Sequence, residues 1–229
     1  EVSLLAFTDG KTVLPLDSAQ DHKAAFDGDK GPNTGGMGAY SPALVFTEEL
    51  KQQVIDEIMI PTVRAMAKEG RYYRGILYAG LMLTESGPKV LEFNARFGDP
   101  ETQPIMMRIK NDIVPIFEAC IDGTLAKQSL QWRSEPTVCV VMAAKGYPSS
   151  YEKGKEISGL NSDENRQTVV FHAGTKLENG KVLTNGGRVL GVTALGSDIN
   201  QAIKNAYSAV DKIKWDGVHY RKDIGNKAK

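Results

Sequence analysis

Residues 90–101 read VLEFNARFGDPE, and from residue 91 to residue 96 apolar and polar side chains alternate. This alternation is typical of a β-strand, in which every second side chain lies on the same face. A strand here would place Glu92, Asn94 and Arg96 on one face and the apolar side chains on the other. The structural alternative for such a short pattern is an edge strand with a polar outer face.

The polar face of this expected strand carries the donor types of a divalent-cation site. The Glu92 carboxylate and the Asn94 amide oxygen, two residues apart, can share one hard cation. Magnesium in proteins takes a few such oxygens together with phosphate and water, rather than a cage of protein ligands. The Arg96 guanidinium would face negative charge near that cation, where it suits phosphate or carboxylate.

The residues that follow this strand predict the start of a helix. Asp99 is a suitable cap, and Pro100 suits the first helical position, where the missing N–H costs no hydrogen bond. A helix N-terminus is also an anion site. This context favours the functional interpretation of the strand before it.

A second candidate site lies in residues 17–43, which show almost no apolar periodicity and include the run GDKGPNTGGMG at 28–38. Loops of this length are uncommon in compact domains and are often functional. Glycines let backbone N–H groups approach an anion closely, although the run is neither a Walker A loop nor a GxGxxG motif. A flexible surface loop is the alternative. The polar residues 18–23 favour a small-molecule site, whereas His22 alone indicates a structural or surface histidine.

The remaining pattern predicts an α+β fold. We expect a hairpin about Asp9-Gly10, a helix capped by Thr47 and interrupted at Pro61, and a helix capped by Ser197 or Asp198. The expected strands are 2–7, 12–16, 75–83, 89–94, 138–144, 168–172, 175–177, 181–184 and 188–195, and a further helix is expected at 112–121. Residues 125–136 are polar and mixed, as in a linker.

Composition excludes several classes of protein. The 229 residues carry 28 Lys plus Arg against 28 Asp plus Glu, which argues against wide electrostatic contact with nucleic acid. No apolar run approaches the length of a membrane span. Cys120 and Cys139 stand far apart, which favours two buried thiols in a reducing compartment, and the three histidines form no metal-binding motif. The chain has no initiator Met and starts within a strand pattern, so we expect a fragment.

Three stretches together resemble the phosphoribosylamine–glycine ligase family, also called glycinamide ribonucleotide synthetases, of ATP-grasp enzymes. They are QDHK at 20–23, GPNTGGMGAYSP at 31–42 and EFNARFGDPE at 92–101. The resemblance continues to the ending at 220–225 and covers essentially the whole chain. Family members begin with a separate α/β domain and the nucleotide-gripping first half of the ATP-grasp fold, and neither is present in these 229 residues.

The resemblance implies the architecture and the reaction. Residues 1–125 would be the C-terminal half of an ATP-grasp domain, and residues 126–229 a small, mostly-β domain with one amphipathic helix. The reaction joins glycine to 5-phosphoribosylamine with ATP as co-substrate, in de novo purine biosynthesis, through phosphorylation of the glycine carboxylate. The expected partners are these small molecules and the missing N-terminal part of the polypeptide, with no nucleic acid and no membrane, in the cytoplasm. The fragment alone is expected to be inactive.

The resemblance also implies roles for particular residues. Glu92 and Asn94 would hold Mg²⁺ or Mn²⁺ bridging the ATP phosphates, and Arg96 would be catalytic, stabilising charge on the transferring phosphoryl group. The substrate-binding residues would be Asp21, Asn33, Thr34, Gly35, Gly36, Met37, Gly38 and Asp99.

Some features depart from this family or lie outside its motifs. Ala24 follows the QDHK stretch where the family pattern leads us to expect Arg. The alternatives are an ATP-grasp ligase acting on another amine, and a non-catalytic module that retains the fold. The turn-rich, charged segments 145–148, 185–188 and 220–225 are interpreted as structural rather than catalytic.

Overall fold

The computed structural model describes residues 1–160 and 167–228. The chain forms two compact units, each drawn from separate stretches of sequence. The first contains Glu1–Gln20, Pro42–Gly98 and Arg108–Arg133, and the second Asp21–Ser41, Asp99–Met107 and Ser134–Lys229. The boundary expected near residue 125 concerns the domains of the family rather than these units, and it stays a prediction.

Strands outnumber helices, and the α+β class is confirmed. The strands are β1 (Val2–Thr8), β2 (Val13–Pro15), β3 (Gln20–Asp21), β4 (Ala24–Phe26), β5 (Lys30–Asn33), β6 (Gly38–Ser41), β7 (Gly75–Thr84), β8 (Gly87–Asn94), β9 (Thr137–Ala144), β10 (Thr168–His172), β11 (Thr175–Glu178), β12 (Lys181–Thr184), β13 (Arg188–Leu195) and β14 (Val218–His219). The α-helices are α1 (Glu48–Val54), α2 (Ile60–Lys68), α3 (Thr102–Arg108), α4 (Val114–Asp122) and α5 (Ile199–Val210).

The first unit is built on an antiparallel sheet of order β2-β1-β7-β8. Strand β1 is buried along its whole length, as its apolar sequence predicts. The hairpin that joins it to β2 turns at Asp9-Gly10, where Gly10 has a φ of 90°. Strand β8 lies at the edge of this sheet, so its residues 89–93 are exposed on both faces. The expected hairpin of β7 and β8 is confirmed.

The helix expected after Thr47 is confirmed in its cap and changed in its middle. The Thr47 hydroxyl accepts a hydrogen bond from the Leu50 N–H at 3.3 Å. Pro61 was expected to bend or break the helix, because proline has no N–H and crowds the preceding turn. Instead, Ile55–Met59 adopts a π-helical segment between α1 and α2. The longer repeat of that segment accommodates the proline, and Gly70 follows the helix end with a φ of 74°.

The second unit is built on a sheet of order β10-β13-β9-β6-β3, with β14 also pairing with β9. The central strands β9 and β13 are almost wholly buried, and α5 packs its apolar face against both. The α5 cap is Asp198, whose carboxylate accepts a hydrogen bond from the Gln201 N–H at 2.9 Å. Strands β11 and β12 form a hairpin that turns at Asn179-Gly180, where φ is 49° and 75°.

Residues 17–43 are not the long loop that their lack of periodicity predicted. They contain β3, β4, β5 and β6, each only two to four residues long. Strand β6 is held by pairing with β9, a hundred residues away, in the register Gly38 to Val140 and Tyr40 to Val138. Such strands depend on a distant partner rather than on their own sequence pattern.

The helix start expected at Asp99 is wrong. The Asp99–Pro100 peptide is cis, and α3 begins at Thr102. The Asp99 carboxylate accepts a hydrogen bond from the Gln103 side chain at 3.1 Å. With seven residues, α3 also gives no support to the anion site expected at its first turn.

Two expectations from composition concern the chain as a whole. Cys120 and Cys139 are both buried free thiols, as expected. Among the residues that the structure describes, no helix has the length and apolar character needed to cross a membrane.

Candidate functional site

In the first unit, Glu92 and Asn94 lie side by side on one face of β8. The Asn94 Nδ2 lies 3.1 Å from the Glu92 Oε1. Strand register sets Glu92 opposite Gly80, and a Cβ on residue 80 would lie 3.2 Å from the Glu92 Cγ. The absence of a side chain at Gly80 therefore leaves space for the Glu92 side chain. The strand expected here is confirmed, and so is the shared face of Glu92 and Asn94.

Arg96 does not share the face of these two residues by strand alternation, because β8 ends at Asn94. It is exposed and lies in a bend after the strand, where its Nη1 donates to the carbonyl of Phe97 at 2.9 Å. The expectation that one extended segment carries all three side chains is therefore correct for Glu92 and Asn94 only.

The donor set of the pair fits a divalent cation of the magnesium type. A carboxylate and a side-chain amide offer two hard oxygen ligands, once the amide turns its oxygen toward the carboxylate. Within residues 1–160 and 167–228, no group of three or more His, Cys, Asp or Glu side chains is placed to hold a metal. A site with few protein ligands is the kind that magnesium completes with phosphate and water.

In the second unit, the four backbone N–H groups of residues 34–37 are already hydrogen-bonded within the protein. The Thr34 N–H donates to the Lys23 carbonyl at 2.7 Å, and the Met37 N–H to the His22 carbonyl at 2.8 Å. The Gly36 N–H donates to the Thr34 hydroxyl at 2.9 Å, and the Gly35 N–H to the Tyr147 hydroxyl at 3.0 Å. In this conformation these N–H groups do not form the anion-binding site that the glycines predicted.

The glycines instead permit close packing. Gly36 has a φ of 118°, and a Cβ there would lie 2.4 Å from the Pro100 Cδ. A Cβ on Gly38 would lie 2.6 Å from the Cys139 carbonyl oxygen. Larger residues at either position would push the segment away from its neighbours.

The other residues of this stretch differ in exposure. Asn33 and Gly35 are exposed, and Thr34 is half-buried. The Met37 side chain is fully buried in the core of the second unit. The prediction that Met37 binds substrate therefore rests on its place in the motif, since its side chain packs inside the protein.

Arg188 joins this stretch to the turn that contains Asp99. Its Nη1 donates to the carbonyls of Gly35 at 2.7 Å and Asp99 at 2.5 Å, and its Nη2 lies 3.1 Å from the Asp99 Oδ2. The structure thus brings together Gly35, Gly36 and Asp99, three of the residues predicted to bind substrate.

Asp21 lies in β3 and is largely buried, with its carboxylate 2.9 Å from the Lys23 Nζ. His22 is only 1% exposed, and both of its ring nitrogens lack a hydrogen-bond partner among the described residues. The pKa of His22 is lowered to about 4, mainly by burial and to a smaller extent by the charges of Arg221 and Lys227. His22 is therefore neutral at pH 7, which confirms the structural alternative to a surface histidine.

The neutral state of His22 predicts an acid-sensitive stability. Below about pH 6.5 an exposed histidine of the unfolded chain binds a proton that folded His22 does not bind until about pH 4. The free energy of unfolding should therefore fall by about 3 kcal/mol between pH 6.5 and pH 4. Denaturant unfolding across this range measures it, and His22→Asn should remove most of the decline. The matched control is His172→Asn, at an exposed position, which should show the same decline as the wild type. If the decline persists in His22→Asn, His22 is not its cause.

Arg221 is the centre of an ionic network in which the arginine is buried and its two carboxylate partners are partly exposed. It is 1% exposed, and its Nε and Nη2 donate to the two carboxylate oxygens of Asp223, each at 2.7 Å. Its Nη1 donates to the Asp29 carboxylate at 3.0 Å and to the Ala24 carbonyl at 3.1 Å. Residue 24, where arginine was expected, is thus a buried position beside an arginine from elsewhere in the chain.

Arg188, Tyr147 and Arg221 belong to the segments that were interpreted as structural from their turn-rich sequence. Their contacts reach residues more than a hundred positions away, and no local pattern indicates such contacts. The glycine pair just before Arg188 is the one local feature of the sequence that indicates close packing here. A Cβ on Gly187 would lie 2.3 Å from the Tyr147 ring.

Two family models match the chain in succession. The ATP-grasp (A) domain of phosphoribosylglycinamide synthetase matches residues 1–102, and the C domain of the same enzyme matches residues 137–227. The chain belongs to the phosphoribosylglycinamide synthetase family. The resemblance that was found in its motifs is thereby confirmed.

Curated members of the family are similar over the whole chain. The phosphoribosylamine–glycine ligases of Rhodopirellula baltica and Halalkalibacterium halodurans are each 55% identical to it, over 100% of the chain and 53% of their own length. The crystal structure of the phosphoribosylamine–glycine ligase from Thermotoga maritima matches with a TM-score of 0.88 and 37% identity. That match covers 97% of the chain and 55% of the solved structure. The chain thus spans about half the length of the relatives that it matches.

Proposed function

We propose that this chain is the C-terminal portion of a phosphoribosylamine–glycine ligase. The intact polypeptide would convert ATP, glycine and 5-phospho-β-D-ribosylamine into ADP, phosphate and glycinamide ribonucleotide, a step of de novo purine biosynthesis. The observation that carries this proposal is the Glu92–Asn94 pair on one face of β8, in a chain that both domain models of the family match. Without the preceding half of the polypeptide, the chain would not turn over.

The reaction would proceed in two steps whose atoms balance. A glycine carboxylate oxygen attacks the γ-phosphorus of ATP, which gives glycyl phosphate and releases ADP. The amine of phosphoribosylamine then attacks the glycyl carbonyl carbon, and phosphate leaves with the oxygen that came from the carboxylate. The amine loses a proton as the amide bond forms.

The residues of the first unit would serve the phosphoryl transfer. Glu92 and Asn94 would hold Mg²⁺ or Mn²⁺, which when bound neutralises charge on the ATP phosphates. Arg96, exposed just after β8, would stabilise the charge that develops on the transferring phosphoryl group.

The residues of the second unit would serve the other substrates. Asp21, the stretch 33–38 and Asp99 would line the site for phosphoribosylamine and glycine. The support for this assignment is the family motif together with the arginine contacts that hold Gly35 and Asp99 in one place. Each residue remains a proposal to be tested by substitution.

The domain boundaries and the location of the protein are proposed on similar grounds. We propose an ATP-grasp portion at 1–125 and a C-terminal domain at 126–229, which the matches at 1–102 and 137–227 support. Residues 161–166 and 229 of that second domain lie outside the described residues. Two buried free thiols fit a reducing, cytoplasmic compartment.

An assay of ADP release with the intact polypeptide tests the proposed reaction. ADP should form only when ATP, glycine and phosphoribosylamine are all present, and no other amine or amino acid of a small panel should replace them. Release without glycine, or with another amine, would favour a different ATP-grasp ligase. Failure to bind Mg-ATP in calorimetry would favour a non-catalytic protein.

A further inference from the structure

The stretch 33–38 is held by two side chains from distant parts of the second unit. The Gly35 N–H donates to the Tyr147 hydroxyl at 3.0 Å, and the Gly35 carbonyl accepts from the Arg188 Nη1 at 2.7 Å. Both polar groups of one exposed residue are thus bound from outside the stretch. A Cβ on Gly35 would lie 2.9 Å from the Arg188 Cζ, so a larger residue there would displace the guanidinium from its present position.

Each of these side chains is itself fixed. Arg188 reaches past Gly35 to the carbonyl of Asp99 at 2.5 Å and to its carboxylate at 3.1 Å, so that one guanidinium bridges two substrate-site segments. The Tyr147 ring lies against the backbone of Gly187 and meets the Tyr151 ring edge-on, with 6.4 Å between their centroids. The orientation of both groups is therefore set by packing as well as by hydrogen bonds.

A stretch this rich in glycine needs such support. Ordering a flexible backbone costs conformational entropy, and glycine loses more of it than any other residue. When the site is already ordered in the free protein, binding does not have to offset this loss of entropy, and the affinity for substrate is higher.

We propose that Arg188 and Tyr147 are positioning residues that hold the Gly35 backbone, and with it the stretch 33–38, in the conformation that receives phosphoribosylamine and glycine. This inference rests on the proposed function for the identity of the substrates. The two residues act through the loop backbone and not on ATP, so their loss should weaken binding of these substrates selectively.

Kinetics of the intact polypeptide test the proposal. Arg188→Gln should raise the KM for phosphoribosylamine or glycine at least about tenfold, because charge-assisted hydrogen bonds are lost. Arg188→Lys keeps the positive charge but lacks the planar guanidinium that can donate to two acceptors at once. Its KM should lie between those of Arg188→Gln and the wild type. Tyr147→Phe should raise the same KM about threefold. The KM for ATP and the kcat at saturating substrate should stay within twofold in all three variants.

Amide hydrogen exchange supplies a second measurement that needs no substrate. Exchange in a peptide covering residues 33–38 should be faster in Tyr147→Phe and in Arg188→Gln than in the wild type. Tyr151→Phe is the matched control, since it removes a hydroxyl from the neighbouring ring and leaves the Gly35 contacts intact. It should behave like the wild type in exchange and in kinetics.

The outcomes separate this inference from the proposed function. If the variants are active and their KM values for phosphoribosylamine and glycine are unchanged, the inference is overturned. An equal change in kcat and in the KM values for ATP, glycine and phosphoribosylamine indicates general destabilisation and also overturns it. If Arg188→Gln does not fold, Tyr147→Phe decides alone. If the wild type shows no ligase activity, the proposed function fails, and unchanged exchange at residues 33–38 would then overturn the positioning role separately.

Discussion

Glu92→Gln in the intact polypeptide should lower the ligase rate by about 100-fold to 1,000-fold, the range found when one preorganised electrostatic group is removed from an active site. The substitution keeps the size of the side chain but replaces a charged oxygen ligand by a neutral amide. The concentration of Mg²⁺ needed for half-maximal activity should rise as well. Steady-state rates measured over a Mg²⁺ titration give both quantities.

The fold should tolerate this change, because Glu92 is exposed at the edge strand of its sheet. The thermal unfolding of the Glu92→Gln variant should match that of the wild type. Glu85→Gln is the matched control, since Glu85 is an exposed carboxylate in the turn between β7 and β8 and has no role in the proposed site. A rate within twofold of the wild type for Glu92→Gln would refute the assignment of the metal pair.

Arg221→Met should destabilise the protein by about 2 kcal/mol, because the buried guanidinium makes charge-assisted hydrogen bonds to two partly exposed carboxylates. Methionine fills much of the volume but leaves the carboxylates of Asp29 and Asp223 without their guanidinium partner. The Ala24 carbonyl also loses a donor. Denaturant unfolding at pH 7 measures the difference in free energy.

The same network predicts how that difference depends on pH. Burial raises the pKa of Asp223, but the hydrogen bonds and charge of Arg221, with the Gly28 N–H, outweigh it and hold that pKa at about 2. The stabilisation is therefore complete above the ordinary aspartate pKa of about 4 and is lost as the pH falls toward 2. Lys222→Ala, at an exposed neighbour, should change stability by less than about 0.5 kcal/mol. Arg221→Met with wild-type stability would contradict the structural role of the network.

The elements that the sequence predicted well are those whose signals are local. Thr47 and Asp198 cap helices because their side chains reach N–H groups three residues ahead. The turn at Asp9-Gly10 needs the positive φ that Gly10 adopts. The Glu92–Asn94 pair follows from strand alternation alone.

The features that the sequence did not predict depend on contacts across long distances in the chain. Strand β6 exists because β9 pairs with it. Asp99 lies in a turn before α3, where Arg188 donates to its carbonyl and Gln103 to its carboxylate. Arg221 pairs with the nearby Asp223 and also with Asp29, 192 positions earlier in the chain, and the sequence around residue 221 does not indicate that second contact. The segment 220–225, interpreted from its sequence as structural, is part of the second unit.

The fate of the glycine oxygens tests the central claim most directly, because the proposed reaction passes through glycyl phosphate. The intact polypeptide is supplied with ATP, phosphoribosylamine and glycine in which both carboxylate oxygens are ¹⁸O, and the released phosphate is analysed by mass spectrometry. The account predicts one ¹⁸O atom in the phosphate for each ADP formed, and Glu92→Gln should slow labelling and ADP release together. Phosphate released without ¹⁸O would contradict phosphoryl transfer to the glycine carboxylate, and with it the role proposed for the Glu92–Asn94 pair.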